Sequence, residues 1–180
     1  MVGVGGCLPA RLVSNDELAK TVDTSDEWIQ QRTGIKQRYL VEDERTSDLA
    51  VGAARQALEH AGLSADDIDI IVLATTTPND TFPSTASVVQ KDLGAFNAFA
   101  FDVQAVCAGF VYALGVAESL LKTGQGKRAL VIGAESFSKL LDWDDRTTCV
   151  LFGDGAGAVI LEAGAPVDDW GVLSSVLHTD

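Results

Sequence analysis

The stretch "AFAFDVQAVCAGFVYALGVAESLLK", residues 98–122, decides the reading of the fold. Its first six residues are an apolar and aromatic run that reads as a strand, 98–103. From Cys107 to Ala117 there is no charge, and apolar and small residues go all round. Such a pattern predicts a helix over 107–122 that is buried on every side. Ala108, Gly109, Ala113, Gly115 and Ala117 would let neighbouring elements come close. A helix flanked by sheets on both sides needs more than one layer pair. Cys107 stands where the strand hands over to the helix. A sulfur there feels the partial positive charge of the helix N-terminus, which favours a thiolate. The first N–H groups of a helix have no intrahelical partner and can hold a developing oxyanion. Position alone leaves two readings open, a nucleophile and a packing cysteine.

The same alternation extends outward. Residues 46–61, "TSDLAVGAARQALEHA", begin with Thr46 or Ser47 as a cap, keep helical apolar spacing and stop at Gly62. Residues 68–75, "IDIIVLAT", read as a buried strand. Residues 84–93 read as a helix between a Ser/Thr cap and Gly94, and 128–135, "RALVIGAE", as a strand. Residues 156–162 and 171–177 are expected to be successive strands with no helix between them, so one of the two can run antiparallel. Residues 15–32 offer two short helices with acidic first turns, capped by Asn15 and by Thr24 or Ser25. Strand, helix, strand, helix, strand predicts an α/β fold with a mixed, mostly parallel sheet, and one domain over 1–180.

Composition narrows the function. Of 180 residues, 47% are hydrophobic, enough for a sizeable core. The net charge is −13, which disfavours nucleic acid and anionic membranes as partners. No apolar stretch has the length of a membrane span, and "MVGVGGCLPARL" has no basic start like that of a signal peptide, so the cytoplasm is the expected compartment. The three cysteines, Cys7, Cys107 and Cys149, are an odd set without metal-ligand spacing and are expected as free thiols. No metal or cofactor is expected.

Two glycine-rich runs, "GVGG" (3–6) and "GDGAGA" (153–158), lack the following helix that a phosphate loop needs, and read as tight turns or close approaches. Cys7, in a Gly-rich turn, and Cys149, in a strand-like run, read as structural. A cysteine nucleophile ordinarily has a histidine beside it. His60 closes a surface helix and His178 lies two residues from the last, so neither supplies that base. Trp28 and Arg32 lie four apart on one helix face, with Arg146 in "DWDDRTT" as a second cation. They read either as surface ion pairs around a half-buried Trp or as a platform for a planar ligand.

Four stretches together, "DVQAVCAGFVYAL" around Cys107, "VDTSDEWIQQRTGI" at 22–35, "ATTTPNDTFPS" at 74–84 and "FGDGAGAVIL" at 152–161, resemble β-ketoacyl-acyl carrier protein synthase III, the initiating condensing enzyme of bacterial type II fatty acid synthesis. The resemblance covers nearly the whole chain, in the family's order. It implies a thiolase-type fold of two similar α/β halves, of which this chain is the N-terminal one. It implies that Cys107 takes the acyl group of an acyl-CoA primer, which then condenses with malonyl-acyl carrier protein as carbon dioxide leaves. It implies that Trp28 and Arg146 sandwich the coenzyme A adenine and that Arg32 contacts the nucleotide end. It implies that Phe82 reaches across a homodimer interface to the partner's acyl pocket, and that Phe137 sets pocket size. The catalytic histidine and asparagine of the family belong to the half that is absent from this sequence, and so does a basic docking patch for the acidic carrier protein. Two other readings stand beside this one: a related polyketide or secondary-metabolite priming enzyme, and an inactive half-length assembly partner.

Overall fold

The computed structural model describes residues 1–164 and 171–178. Its centre is a five-stranded sheet in the order β1 (Gly3–Cys7), β7 (Gly155–Glu162), β6 (Arg128–Glu135), β4 (Ile70–Ala74), β5 (Phe99–Val103). β4 pairs in parallel with β5 (Ile70 opposite Phe99) and with β6 (Ile70 opposite Ala129), whereas β7 runs antiparallel to both β6 and β1. The antiparallel strand is the one that no helix precedes, as the connection rule requires.

Period-two alternation sorts the sheet residues between two cores. Ile71, Leu73, Leu130, Ile132, Ala158 and Ile160 point to the side covered by α3 (Thr46–Ala61) and α4 (Thr85–Leu93). Ile70, Val72, Val131, Val159 and Leu161 point to the side covered by α5 (Gly109–Lys122). The helix ends follow the sequence signals. Gly62 and Gly94 close α3 and α4 in the left-handed conformation, and Ser84 caps α4 through the N–H of Ser87.

Several expectations are corrected. The run 3–6 is the strand β1, not a turn. Its glycines serve close approach, because α3 lies directly on it with the small face Ala50, Ala53, Ala54 and Ala57 fully buried. A Cβ at Gly5 would overlap the carbonyl oxygen of Ala53. Cys7 therefore ends a strand, and Cys149 lies in a short 3-10 turn, Cys149–Leu151, rather than in a strand. The run 153–158 likewise feeds directly into β7. Residues 171–178 join no sheet, and β7, the last strand before them, has both its sides taken by β1 and β6. This segment runs along the outer side of α5 instead, where Tyr112 Oη donates to the carbonyl of His178 at 2.8 Å.

Two elements carry no clear sequence signal. β2 (Arg11–Ser14) and β3 (Gln37–Leu40) form an antiparallel pair that frames α1 (Asn15–Leu18) and α2 (Asp26–Thr33). Ser14, not Asn15, caps α1, and Ser25 caps α2 as one of the two expected residues. The largest correction concerns α5. It begins at Gly109 rather than at the cysteine, and only the line Gly109, Ala113, Ala117, Leu121 is fully buried. Its outer side carries exposed Val111, with no second sheet against it among the described residues. No helix among those residues is long and apolar enough to cross a membrane.

Candidate active site

The carboxyl ends of the parallel strands all open on one edge of the sheet, the edge at which α/β sheets place ligands. Three connections leave from it: 75–84 after β4, 104–108 after β5 and 136–139 after β6. Cys107 lies in the second of these, in a 3-10 turn over Val106–Ala108. The turn exists because Val106 is held at φ 47°, in the left-handed region that a β-branched residue strongly disfavours. That conformation stops the helix from starting earlier and leaves Cys107 exposed. Gly109 then lets the start of α5 press against Ala74, where a Cβ would meet the alanine methyl at 3.2 Å.

The backbone donors around the thiol are unevenly used. The N–H groups of Ala108 and Gly109 bond the carbonyls of Ala105 and Val106, but the N–H of Cys107 meets no acceptor among the described residues. No side chain caps α5. The start of α4, by contrast, is closed by Asp102, whose carboxylate accepts from the N–H groups of Thr85 and Ala86 at 2.8 and 2.7 Å. The exposed cysteine, with its own N–H unclaimed, thus stands just before the positive end of a 14-residue helix. Burial raises the pKa of Cys7, helped by Glu44, and burial with Asp145 raises that of Cys149. His60 is on the opposite side of the sheet, where its Nδ1 accepts from the N–H of Val4.

The strain at Val106 can be tested. Val106→Gly removes a cost on the order of 1–3 kcal/mol, partly offset by the extra freedom glycine gives the unfolded chain. Chemical denaturation should show the variant at least as stable as the parent. A clear loss of stability would contradict the strained turn.

A second cluster gathers at α2. Trp28 is the third residue of the helix, and its N–H bonds the Ser25 cap. One turn on, the Arg32 guanidinium lies 4.2 Å from the Trp28 ring centroid. From a distant part of the chain, Arg146 brings its guanidinium to 4.9 Å from the same ring. The turn that delivers Arg146 is built on Asp145, whose carboxylate accepts from the Thr147 and Thr148 hydroxyls and the Thr147 N–H. Those bonds, Thr147 first, hold the Asp145 carboxyl below its ordinary range. Arg146 is steadied by the Asp23 carbonyl at 2.7 Å, with the Asp23 carboxylate at 3.6 Å. Arg146 pairs locally with Asp23, and the half-exposed indole has both guanidinium groups within 4.9 Å of its ring centre.

The two phenylalanines separate. Phe82 is 83% exposed at the tip of the 75–84 loop, beside the cis Phe82–Pro83 bond. Phe137 is half-buried after β6, its ring tilted 31° against that of Phe152 with the centroids 4.5 Å apart. Beneath them are residues that sequence patterning missed. Glu135 accepts from the Thr76 N–H and the Thr77 hydroxyl, and buried Asp154 accepts from the N–H groups of Val41 and Ser138. These carboxylates fix the loops that surround the thiol. Their only hint in the sequence was a charge inside otherwise apolar or glycine-rich runs.

The layered fold and the exposed cysteine at its edge define a thiolase-like α/β protein. Residues 101–180 match the family model described as 3-oxoacyl-[acyl-carrier-protein (ACP)] synthase III. A β-ketoacyl-[acyl-carrier-protein] synthase III of Erythrobacter litoralis is 63% identical over 99% of this chain and 56% of its own length, and that of Ehrlichia canis is 58% identical over 100% and 56%. Among solved structures, 3-oxoacyl-[acyl-carrier-protein] synthase III from Aquifex aeolicus superposes with a TM-score of 0.89 at 51% identity, over 92% of this chain and 54% of that one. The priming β-ketosynthase of the R1128 polyketide pathway superposes with a TM-score of 0.87 at 40% identity, over 91% and 49%. The chain is similar to β-ketoacyl-[acyl-carrier-protein] synthase III proteins along its whole length, and it spans about half the length of the curated relatives it matches.

Proposed function

We propose that this chain carries the acyl-accepting part of a condensing acyltransferase that initiates type II fatty acid synthesis. The observation that carries the reading is the exposed Cys107 thiol, with its own N–H unclaimed, at the uncapped start of α5. The thiolate attacks the thioester carbonyl of an acyl-CoA. The Cys107 N–H holds the oxyanion of the tetrahedral intermediate, and coenzyme A leaves as its thiol once protonated. The acyl group is then a thioester on Cys107. In the second step malonyl-acyl carrier protein loses carbon dioxide, and the carbanion so formed attacks this thioester and releases the cysteine.

Trp28, Arg32 and Arg146 are the coenzyme A site in this reading. For the adenine to enter between Trp28 and Arg146, the guanidinium must withdraw from 4.9 Å to roughly twice a van der Waals contact, about 7–8 Å. The Asp23 carbonyl that steadies it is an exposed and replaceable partner. Base stacking on an aromatic ring contributes about 1–3 kcal/mol, so Trp28→Ala should weaken coenzyme A binding by roughly 5- to 150-fold in calorimetry. An unchanged affinity would remove Trp28 from the site.

Phe137, narrowed by Phe152, lines the acyl pocket and favours short primers. The second step needs groups from a second α/β half. An apolar trough of about 360 Å³ beside α5, lined by Val4, Phe110, Gly133, Gly157 and Val159, is the face on which that half would pack. A homodimer fits the sheet, because β5 is an open edge strand with Phe99 and Phe101 stacked along it and Phe82 and Phe96 exposed nearby. We assign the protein to the cytoplasm, with no metal, nucleic acid or membrane in its chemistry.

The test is to incubate the protein with radiolabelled acetyl-CoA and map the label by peptide mass. Label on Cys107 supports the reading, and label on Cys7 or Cys149 overturns it. The likeness to a polyketide priming ketosynthase favours one alternative, a priming enzyme with another acceptor. Malonyl-acyl carrier protein against malonyl-CoA as extender separates the two.

A further inference from the structure

Arg38, in β3, is only 5% exposed. Its Nη2 donates to Asn15 Oδ1 at 2.8 Å and to the Val150 carbonyl at 3.3 Å, and its Nη1 to the Val13 carbonyl at 3.5 Å. All three acceptors are neutral. No carboxylate pairs with it among the described residues, and its Nε finds no acceptor there either. Burial accordingly lowers its pKa. A buried cation without a counter-charge is costly unless its hydrogen bonds hold something in place.

Its bonds do lead somewhere particular. Asn15, which accepts from Arg38, donates through Nδ2 to Asp26 Oδ1 at 2.8 Å and to the Ile35 carbonyl at 2.7 Å. Asp26 is the first residue of α2, and Ile35 follows its end. A second of the three acceptors, Val150, lies one short turn beyond Arg146. One guanidinium therefore ties both ends of the helix that bears Trp28 to the segment that bears Arg146. These two parts of the ring cluster are far apart in the chain. The small apolar core that joins them, Leu18, Val22, Ile29, Cys149 and Val150, gives adhesion but little angular control.

We propose that Arg38, relayed by Asn15, is a positioning residue that sets the spacing between Trp28 and Arg146 and so the affinity for the nucleotide end of coenzyme A. The affinity part rests on the reading of Trp28 and Arg146 as the nucleotide seat. The spacing part does not.

The experiment compares the protein with Arg38→Met, which keeps the stem and removes the hydrogen bonds, and with Arg38→Lys. The first readout is the Arg146 side-chain resonance in the free protein, displaced by the Trp28 ring current. In Arg38→Met that displacement should largely vanish, and in Arg38→Lys it should return in part. The second readout is coenzyme A affinity, expected to fall about tenfold while the alkylation rate of Cys107 by iodoacetamide stays within about twofold. Should Arg38→Met fail to fold, Asn15→Ala cuts the relay with Arg38 in place and should show the same loss of displacement. An undisplaced Arg146 signal in the parent, or an unchanged signal and affinity in variants that merely melt earlier, overturns the proposal. A parent that shows the ring-current displacement but binds no coenzyme A overturns the affinity part alone, together with the nucleotide reading of the cluster, and the resonance still decides the spacing.

Discussion

Cys107→Ala takes up no acyl group from acyl-CoA, and any condensation falls by roughly 10⁴- to 10⁶-fold, the scale on which enzymes lose rate when their nucleophile is removed. The geometry explains why no other thiol substitutes. Cys149 is fully buried, and both it and Cys7 have thiols pushed up by burial. The substitution deletes one exposed atom from a turn whose shape is set by Val106 and Gly109, so the fold should be untouched. Coenzyme A affinity should also hold within about twofold, because Trp28, Arg32 and Arg146 are built on α2 and on the turn before Cys149. Loss of labelling with retained binding is the combination to look for. Residual covalent labelling above background would remove Cys107 from its role.

Gly5→Val leaves the chain largely unfolded. A side chain at Gly5 would run into the backbone of α3 at Ala53 and Ala57 and into the stem of Gln56. The backbone at Ala53 and Ala57 cannot yield, because both residues are fully buried where α3 meets the sheet. Overpacking a core with soft neighbours costs about 1–3 kcal/mol. Against backbone the cost rises past roughly 4 kcal/mol, a large share of a typical stability of about 5–15 kcal/mol. Gly157→Ala is the control, since a Cβ there meets nothing within 4 Å, and its stability should stay within about 0.5 kcal/mol. Far-UV circular dichroism and denaturant midpoints of the two variants decide it. Equal midpoints would mean that α3 does not press on β1.

The reading of β1 also shows where sequence patterning ran out. Glycine signals a turn by propensity, and "GVGG" was read that way. What the pattern could not show was the alanine face of a helix lying on that strand, a tertiary demand that overrides propensity. Where burial follows from local composition the elements were legible: "IIVLA" as β4, Gly62 and Gly94 as helix stops, the antiparallel strand among the last apolar runs. The segment 171–177 has strand-like composition, but composition does not reveal whether an edge is free to receive it. Cys107 was visible as a strand-to-helix junction, yet the turn that delays α5 to Gly109 depends on the backbone angle of Val106. The proximity of Arg146 to Trp28 came from family likeness, since residues so distant in the chain have no spacing to read. Arg38 left no trace, because a charge in a four-residue strand reads as exposed.

The order of the strands also has a consequence in time. β7 lies between β1 and β6, so β1 enters the sheet only through a strand made long after it. At about 5–20 residues per second, synthesis of the stretch between Cys7 and Gly155 takes roughly 7–30 s. Late in that interval, once β6 is made, α3 can dock on it, but β1 still has no hydrogen-bonding neighbour, and a glycine-rich strand holds its shape poorly alone. A nascent chain paused before β7 would therefore display an unpaired sheet edge at β6, and the completion of the sheet is a single late event at which both gaps close together.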